Sequence, residues 1–295
     1  GSAVVDAQMI LAIDTLNNTA AYNLTLILDG GWATAAYHTE LIAVAEARQD
    51  CMAVLSVPLA DEAAAGYIAA ITTYRNTTLN PNTSYAALFS PHAEIYDKFN
   101  DRKVFVPPDG YAAAAISETA SNYEMWYPPA GFKRGMINVL DLKRRYTSGE
   151  MDNLYDINVN PIRFAPGKGI QIWGQKTLLS RPSTLDRVNV RMLLVMIEPA
   201  IKVALEDFIF EVNDTATRAL IKSMIDAYME NIKARRGVYD FLTVCDTSNN
   251  PQVDIDNKKL NVWLFVKPIQ AVEFIEFTTV ITRSGTDFTL AAESL

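Results

Sequence analysis

Leu24-Thr25-Leu26-Ile27-Leu28-Asp29-Gly30-Gly31 is a short apolar run stopped by an acidic, glycine-rich turn. Apolar side chains occur at both alternating positions, which reads as a strand buried on both faces. The next segments repeat the theme. Residues 34–48 set Tyr37, Leu41, Val44 and Ala45 on one helical face, and Met52-Ala53-Val54-Leu55 is a second buried run ending at Pro58. Ala64, Ile68 and Ile71 mark another helix, and Tyr85-Ala86-Ala87-Leu88-Phe89 a third strand. Short strands separated by helices of this length need right-handed crossovers, hence a parallel sheet. The fold class is therefore α/β, with parallel β-α-β units in the N-terminal part.

Outward from this core the pattern changes. Residues 100–185 are richer in Pro, Gly and Asn, around one Ala-rich helix after Gly110. Two long helices follow. The first is expected to start at Asp186 as N-cap, with Leu193, Ile197, Ile201, Ala204 and Phe208 as its buried stripe and Pro199 kinking or interrupting it. The second follows Asn213-Asp214, carries Ile221, Met224, Ile225, Tyr228 and Ile232 at helical spacing, and stops at Gly237 as its C′ residue. Runs at 238–245, 260–266 and 272–282 read as strands, the first two antiparallel across a polar turn at Asn249-Asn250-Pro251. We divide the chain into an α/β domain over 1–165 and a C-terminal α+β domain over 166–295, with two long helices and a mixed or antiparallel sheet.

The chain has 295 residues, 49% apolar and 20% charged, enough for a large core and low in charge for a soluble domain. A net charge of −8 argues against a nucleic-acid binder, which needs basic surface to neutralise phosphates. No apolar run reaches membrane-spanning length, so no membrane insertion is expected. Cys51 and Cys245 lie in apolar runs and read as reduced core residues. Gly1-Ser2 looks like a cloning remnant, which suggests a piece of a longer protein.

Chemistry is sparse. Ligands of open α/β sheets bind beyond the carboxyl ends of the strands, where Asp29, Ser56 and His92 fall. They could form an acid, nucleophile and base, but Ser56 precedes Val57-Pro58 and lacks the glycine-flanked elbow. Pro166-Gly167-Lys168-Gly169 lacks the upstream glycine and the Ser/Thr of a phosphate loop and reads as a tight turn. Residues 246–257 fail as a calcium loop, with Pro251 and Asn257 at the positions that need Gly and Glu. Neither histidines nor cysteines have metal-ligand spacing. No enzyme, cofactor or metal is expected. Two basic clusters stand out: Lys133, Arg134, Lys143, Arg144 and Arg145, and then Lys233, Arg235 and Arg236. Each reads as solvated helix-end charge or as a docking patch for an acidic partner.

Seven strings resist explanation as generic turns. Val106-Pro107-Pro108-Asp109-Gly110, Trp126-Tyr127-Pro128-Pro129-Ala130-Gly131, Asn160-Pro161-Ile162-Arg163, Ile172-Trp173-Gly174-Gln175-Lys176-Thr177-Leu178, Asn189-Val190-Arg191, Phe210-Glu211-Val212-Asn213-Asp214, and Tyr239-Asp240-Phe241 with Cys245-Asp246 follow one another in order. Together they resemble the contractile phage tail sheath proteins, especially the T-even-like branch, from about Leu24 to Phe288. Lys176 stands where the family has arginine, Val212 where it has proline and His92 where many members have tryptophan.

The resemblance implies a structural virion protein. Its copies would form stacked hexameric rings in a helical sheath around a tail tube, with baseplate and tail terminator proteins as further partners. Assembly would take place in the bacterial host cytoplasm, and contraction would drive the tube through the host envelope. A related bacteriocin or type VI secretion sheath stays open, as does a hydrolase-like enzyme. The family also implies strand exchange through terminal arms. The expected recipient edge is the run 272–282, with Val272, Phe274, Glu276 and Thr278 on one side. If an N-terminal arm is missing, the chain should be mainly monomeric alone.

Overall fold

The parallel crossovers expected from the first apolar runs are present in the structure, a computed structural model that describes residues 4–273. Helix α1 (Asp6–Asp14) leads into β1 (Leu26–Leu28), α2 (Ala35–Arg48) and β2 (Met52–Ser56). Two short helices, α3 (Leu59–Ala63) and α4 (Tyr67–Thr73), and a π-helical turn over Tyr74–Leu79 precede β3 (Ala86–Ser90). β1, β2 and β3 pair in parallel, with Leu26 opposite Met52 and Ala53 opposite Ala86. The helix read from Ala64, Ile68 and Ile71 is thus divided into several short pieces.

The Pro- and Gly-rich middle supplies β4 (Ala93–Asp97), β5 (Arg102–Val106), α5 (Asp109–Asn122), α6 (Gly131–Arg134), β6 (Met136–Ile137), β7 (Asp141–Leu142) and α7 (Ser148–Asp156). β5, β4 and β7 form a small sheet in that order. β8 (Val159–Ala165) then joins β3 in parallel, and β9 (Gly169–Ile172) returns antiparallel to it across the turn at Gly167. The main sheet has the order β1-β2-β3-β8-β9-β6, parallel up to β8 and antiparallel beyond.

Alternate side chains of these strands serve opposite layers, as the pleat requires. Ala53, Leu55 and Leu88 pack with Leu41, Val44 and Ala45 of α2. Met52, Val54, Ala87 and Phe89 pack on the other face with Ala112, Ala115 and Ile116 of α5. Val188 and Met192 join this second layer from α8 (Val188–Glu206). Farther along α8, Leu193 and Ile197 enter a separate cluster with Ile221, Ile225, Met229 and Ile232 of α9 (Thr215–Ala234). Val238 and Cys245 complete that cluster, beside the two-stranded sheet of β10 (Val238–Val244) and β11 (Trp263–Pro268). These two strands are antiparallel, as expected, but 18 residues (245–262) containing α10 (Gln252–Asp256) connect them rather than a short turn.

Three boundary expectations need correction. Asp186 belongs to a 3-10 turn, and α8 starts at Val188 behind Arg187 without a side-chain cap. The helix continues past Pro199, because the buried stripe on both sides of it shares the α9 cluster and outweighs one lost donor. The left-handed residue after α9 is Arg236, at φ +65°, not Gly237. Gly237 is needed for another reason: a Cβ there would lie 2.5 Å from Ile232 Cγ2. Both cysteines are free and buried, and burial pushes the Cys51 thiol up to about 12. No helix among the described residues is long and apolar enough to cross a membrane.

Candidate functional site

Asp29 and Ser56 meet at the carboxyl ends of β1 and β2. One carboxylate oxygen of Asp29 accepts from the Ser56 backbone N–H at 2.5 Å and lies 2.9 Å from His38 Nε2. The other accepts from Gly31 N–H at 2.8 Å and Ser56 Oγ at 3.3 Å. His38 Nδ1 is 2.7 Å from the Tyr74 hydroxyl. His92 turns elsewhere. Its backbone N–H donates to the fully buried Glu62 carboxylate at 2.9 Å, and its Nδ1 lies 3.0 Å from the same oxygen. Ser90 Oγ donates to the other Glu62 oxygen at 2.8 Å and lies 2.7 Å from the Tyr146 hydroxyl. The three residues proposed as a triad therefore belong to two networks, and among the described residues no hydrogen bond joins Ser56 to His92. Ser56 is completely buried.

Charge in the first network is divided between two carboxyls. Burial pushes Asp29 up, but the hydrogen bond and charge of His38 and the Gly31 and Ser56 N–H groups together hold it below the usual range. Asp109, whose carboxylate accepts from Gly30 N–H at 2.8 Å, is pushed up to about 6 by burial and by the Asp29 charge.

Four of the seven sequence strings converge on a different place. Trp126, Tyr127, Pro161, Arg163, Trp173 and Asn189 line one cleft of about 570 Å³, which residues Ile269–Glu273 border. Much of its wall is fastened by close backbone approach. The Asn160 side-chain amide donates to Leu88 O at 3.2 Å and Lys176 O at 2.7 Å, and its oxygen accepts from Lys176 N–H at 2.6 Å. That places the chain at 174 against Asn160-Pro161, where a Cβ would sit 2.9 Å from Pro161 Cδ, so glycine is required. Trp126 donates its indole N–H to Arg235 O at 3.3 Å, and its own carbonyl accepts from the Asn189 amide at 3.1 Å. Lys176 donates to Tyr155 O at 2.8 Å and lies over the Tyr155 ring, its pKa lowered by burial and by Arg187. One ammonium thus makes a carbonyl contact and a cation–π contact here. At the border, Glu273 accepts from Arg187 Nε at 2.8 Å, Tyr155 Oη at 2.9 Å and Gln175 Nε2 at 3.0 Å.

The basic clusters are regrouped by the fold. Arg144 donates to the carbonyls of Glu62 (2.8 Å), Ala64 (3.2 Å) and Ala63 (3.3 Å), closing the end of α3, and stacks on Tyr67. Arg145 forms a two-pronged pair with Asp141 at 2.9 Å, and Lys143 lies over Phe105. Lys133 and Arg134 instead join Arg235 of the other cluster around Tyr123, Glu124 and Tyr127. Arg235 pairs with Glu124, Lys233 with Asp240 at 2.9 Å, and Arg236 lines the main cleft. Of the expected strand edge, Val272 is exposed beside the cleft and lies in no strand, whereas Phe274, Glu276 and Thr278 fall outside the described residues.

Comparison with known families accounts for this convergence of motifs. The phage tail sheath protein central domain matches residues 3–178, and the phage tail sheath C-terminal domain matches residues 180–282. The chain belongs to the phage tail sheath family. The tail sheath protein of Vibrio phage KVP40 is 36% identical to it over 264 residues, 83% of this chain and 39% of the relative. That of Enterobacteria phage T4 is 29% identical over 302 residues, 97% of this chain and 46% of the relative. The chain thus spans less than half the length of these two sheath proteins. Two sheath structures share its fold. The PVC sheath complex of an extracellular contractile injection system, in the contracted state, superposes with a TM-score of 0.76 at 18% identity, covering 93% of this chain and 79% of that one. The helical sheath of the anti-feeding prophage, also contracted, gives 0.73 at 18% identity, covering 95% and 76%.

Several residues central to this sheath fold escaped the sequence reading. His38, Glu62 and Tyr146 are polar groups inside helical or loop segments whose pattern reads as surface. Only their burial beside strand ends exposes their role, and the sole sequence hint is Glu62 lying four residues beyond Pro58, next to the end of β2. Glu273 reads in sequence as part of a strand, and its three donors come from segments 86 to 118 residues away.

Proposed function

We propose that this chain is the core of a contractile tail sheath subunit, a structural protein that polymerises around a tail tube and shortens to drive that tube through the host envelope. The observation that carries the reading is the match of sheath central and C-terminal domains to consecutive stretches, 3–178 and 180–282. The cleft supports it chemically. Its motif residues serve as fasteners, with buried amides, glycine at close contacts and stacked cations, and Ser56 and His92 are both held in buried networks. We therefore assign it no catalytic step. Its partners would be further copies of itself in hexameric rings, the tail tube, and the baseplate and terminator proteins. Its place would be the virion tail, after assembly in the host cytoplasm. Electron microscopy of the full-length protein tests the proposal: tubular polymers of stacked rings are the expected result, and a protein that stays unpolymerised at high concentration with tube protein present overturns it. The sheath of a phage-tail-like particle would give the same tubes, and the neighbouring genes separate it from a phage.

A further inference from the structure

The turn between α8 and α9 ends in an unusual tip. Phe210 is fully exposed and holds φ +75°, a left-handed backbone that bulky residues rarely adopt. Ile209 and Val212 beside it are also exposed. Glu206, Asp207 and Glu211 surround the tip, and among the described residues none forms an ion pair. Among the described residues, nothing packs on this apolar tip or neutralises its carboxylates.

The cleft offers the opposite surface. Arg134, Arg163 and Arg236 line it beside two carboxylates, Asp152 and the Arg187-paired Glu273, and Lys168 Nζ lies 4.1 Å from the Phe132 ring centre. None of Arg134, Arg163, Arg236 and Lys168 forms an ion pair among the described residues, on a chain whose net charge is −8. The Arg163 guanidinium lies 3.1 Å from the Trp173 ring centre and its buried Nε has no hydrogen-bond partner there. Trp173 and Phe132, 5.8 Å apart and edge-on, are each 40% exposed. A half-open aromatic pair framed by unneutralised cations suits an apolar side chain flanked by carboxylates.

We propose that the cleft receives the α8–α9 turn of a second copy of this chain, with Phe210 as the inserted tip and Glu206, Asp207 and Glu211 facing the cleft arginines. Tip and cleft are different surfaces of one molecule, so the contact is head-to-tail and propagates into rings or helices. It deepens the sheath reading and rests on it. Steering by charge makes the contact salt-sensitive, and one aromatic anchor keeps it weak singly.

The test uses full-length protein carrying Val212→Cys and Lys168→Cys, polymerised and treated with a short thiol crosslinker. The two cysteines of this chain are both buried, and the full-length protein without added cysteines, treated in parallel, gives the background. A ladder of linked copies is expected from the doubly substituted chain, and dimers only from a mixture of the two single variants. Adding Phe210→Ala, or reversing Glu206, Asp207 and Glu211 to Lys, should lower the yield roughly tenfold. Tubes that form without such links overturn the proposal while leaving the sheath reading intact. Links between two Val212→Cys sites, or between two Lys168→Cys sites, also overturn it. A wild-type protein that forms no polymer overturns both.

Discussion

A Cβ placed on Gly174 would lie 2.8 Å from the side-chain oxygen of Asn160, the oxygen that accepts the Lys176 N–H. Relief is blocked, because the same Cβ would sit 3.0 Å from the Asn160 Cα, a backbone atom of the main sheet. Gly174→Ala should therefore destabilise the fold by about 1–3 kcal/mol. Asn160→Ala should cost a similar amount by stranding Leu88 O and both Lys176 backbone groups. Since both changes break one junction, the double variant should cost clearly less than the sum, as read from urea midpoints.

The second prediction concerns acidity. Asp109 is pushed up to about 6, above its ordinary 3.8, so the folded state binds more protons than the unfolded one between these values. Stability should fall as pH rises from about 4 to about 6, by on the order of 2 kcal/mol, with the penalty fully present above that window. Asp109→Asn should remove that descent while keeping an acceptor for Gly30. Asp29 has the opposite sign. It is held below its ordinary range, so its contribution is full above that range and is lost as pH falls through the lowered value. Thermal melts of both chains from pH 3 to 8 are the measurement. A parallel descent in Asp109→Asn would contradict the assignment.

Arg144 should behave as a structural residue. Its three carbonyl acceptors at the end of α3 lose their donor in Arg144→Ala, which should cost about 1–3 kcal/mol. Arg145→Ala should stay within about 0.5 kcal/mol as an exposed paired side chain does, and Lys143→Ala, which loses a half-buried cation over Phe105, within about 1 kcal/mol. Chemical denaturation of the three single variants decides this, and equal losses in all three would refute it.

Glu273 should act as a clamp on residues 269–273. Glu273→Ala removes the acceptor of Arg187, Tyr155 and Gln175 and should cost about 2 kcal/mol. Proteolysis within 269–273 should accelerate, whereas cleavage in the connection between β10 and β11 should not. Uniform acceleration at both places would indicate general unfolding instead.

How far the fold could be read from sequence depended on the range of the interactions. β1, β2, β3 and α2 lay within a residue or two of their expected positions, because their apolar periods are local and uninterrupted. The ends of α8 and α9 were misplaced, since Asp186 and Gly237 are respectively a turn residue and a steric necessity created by Ile232. For the cleft, the motif strings pointed to the right residues but not to their common location. Asn160 and Gly174 explain each other only when β8 and the chain after β9 are side by side. The basic clusters illustrate the converse. Neighbours in sequence, Arg134 and Arg144, end on different surfaces, whereas Arg134 and Arg235 share one.

β8 has a mechanical consequence of its own. It is bonded in parallel to β3 on one side and antiparallel to β9 on the other, so it couples the sheet's two halves. A tug directed along its axis loads both rows of hydrogen bonds simultaneously in shear, whereas a sideways pull would unzip them one at a time. Asn160, rooted in β8 and stitched to Leu88 and Lys176, resists that peeling. The molecule should therefore be stiff along β8 and compliant across it, a directional strut whose yield force single-molecule pulling along the two axes would resolve.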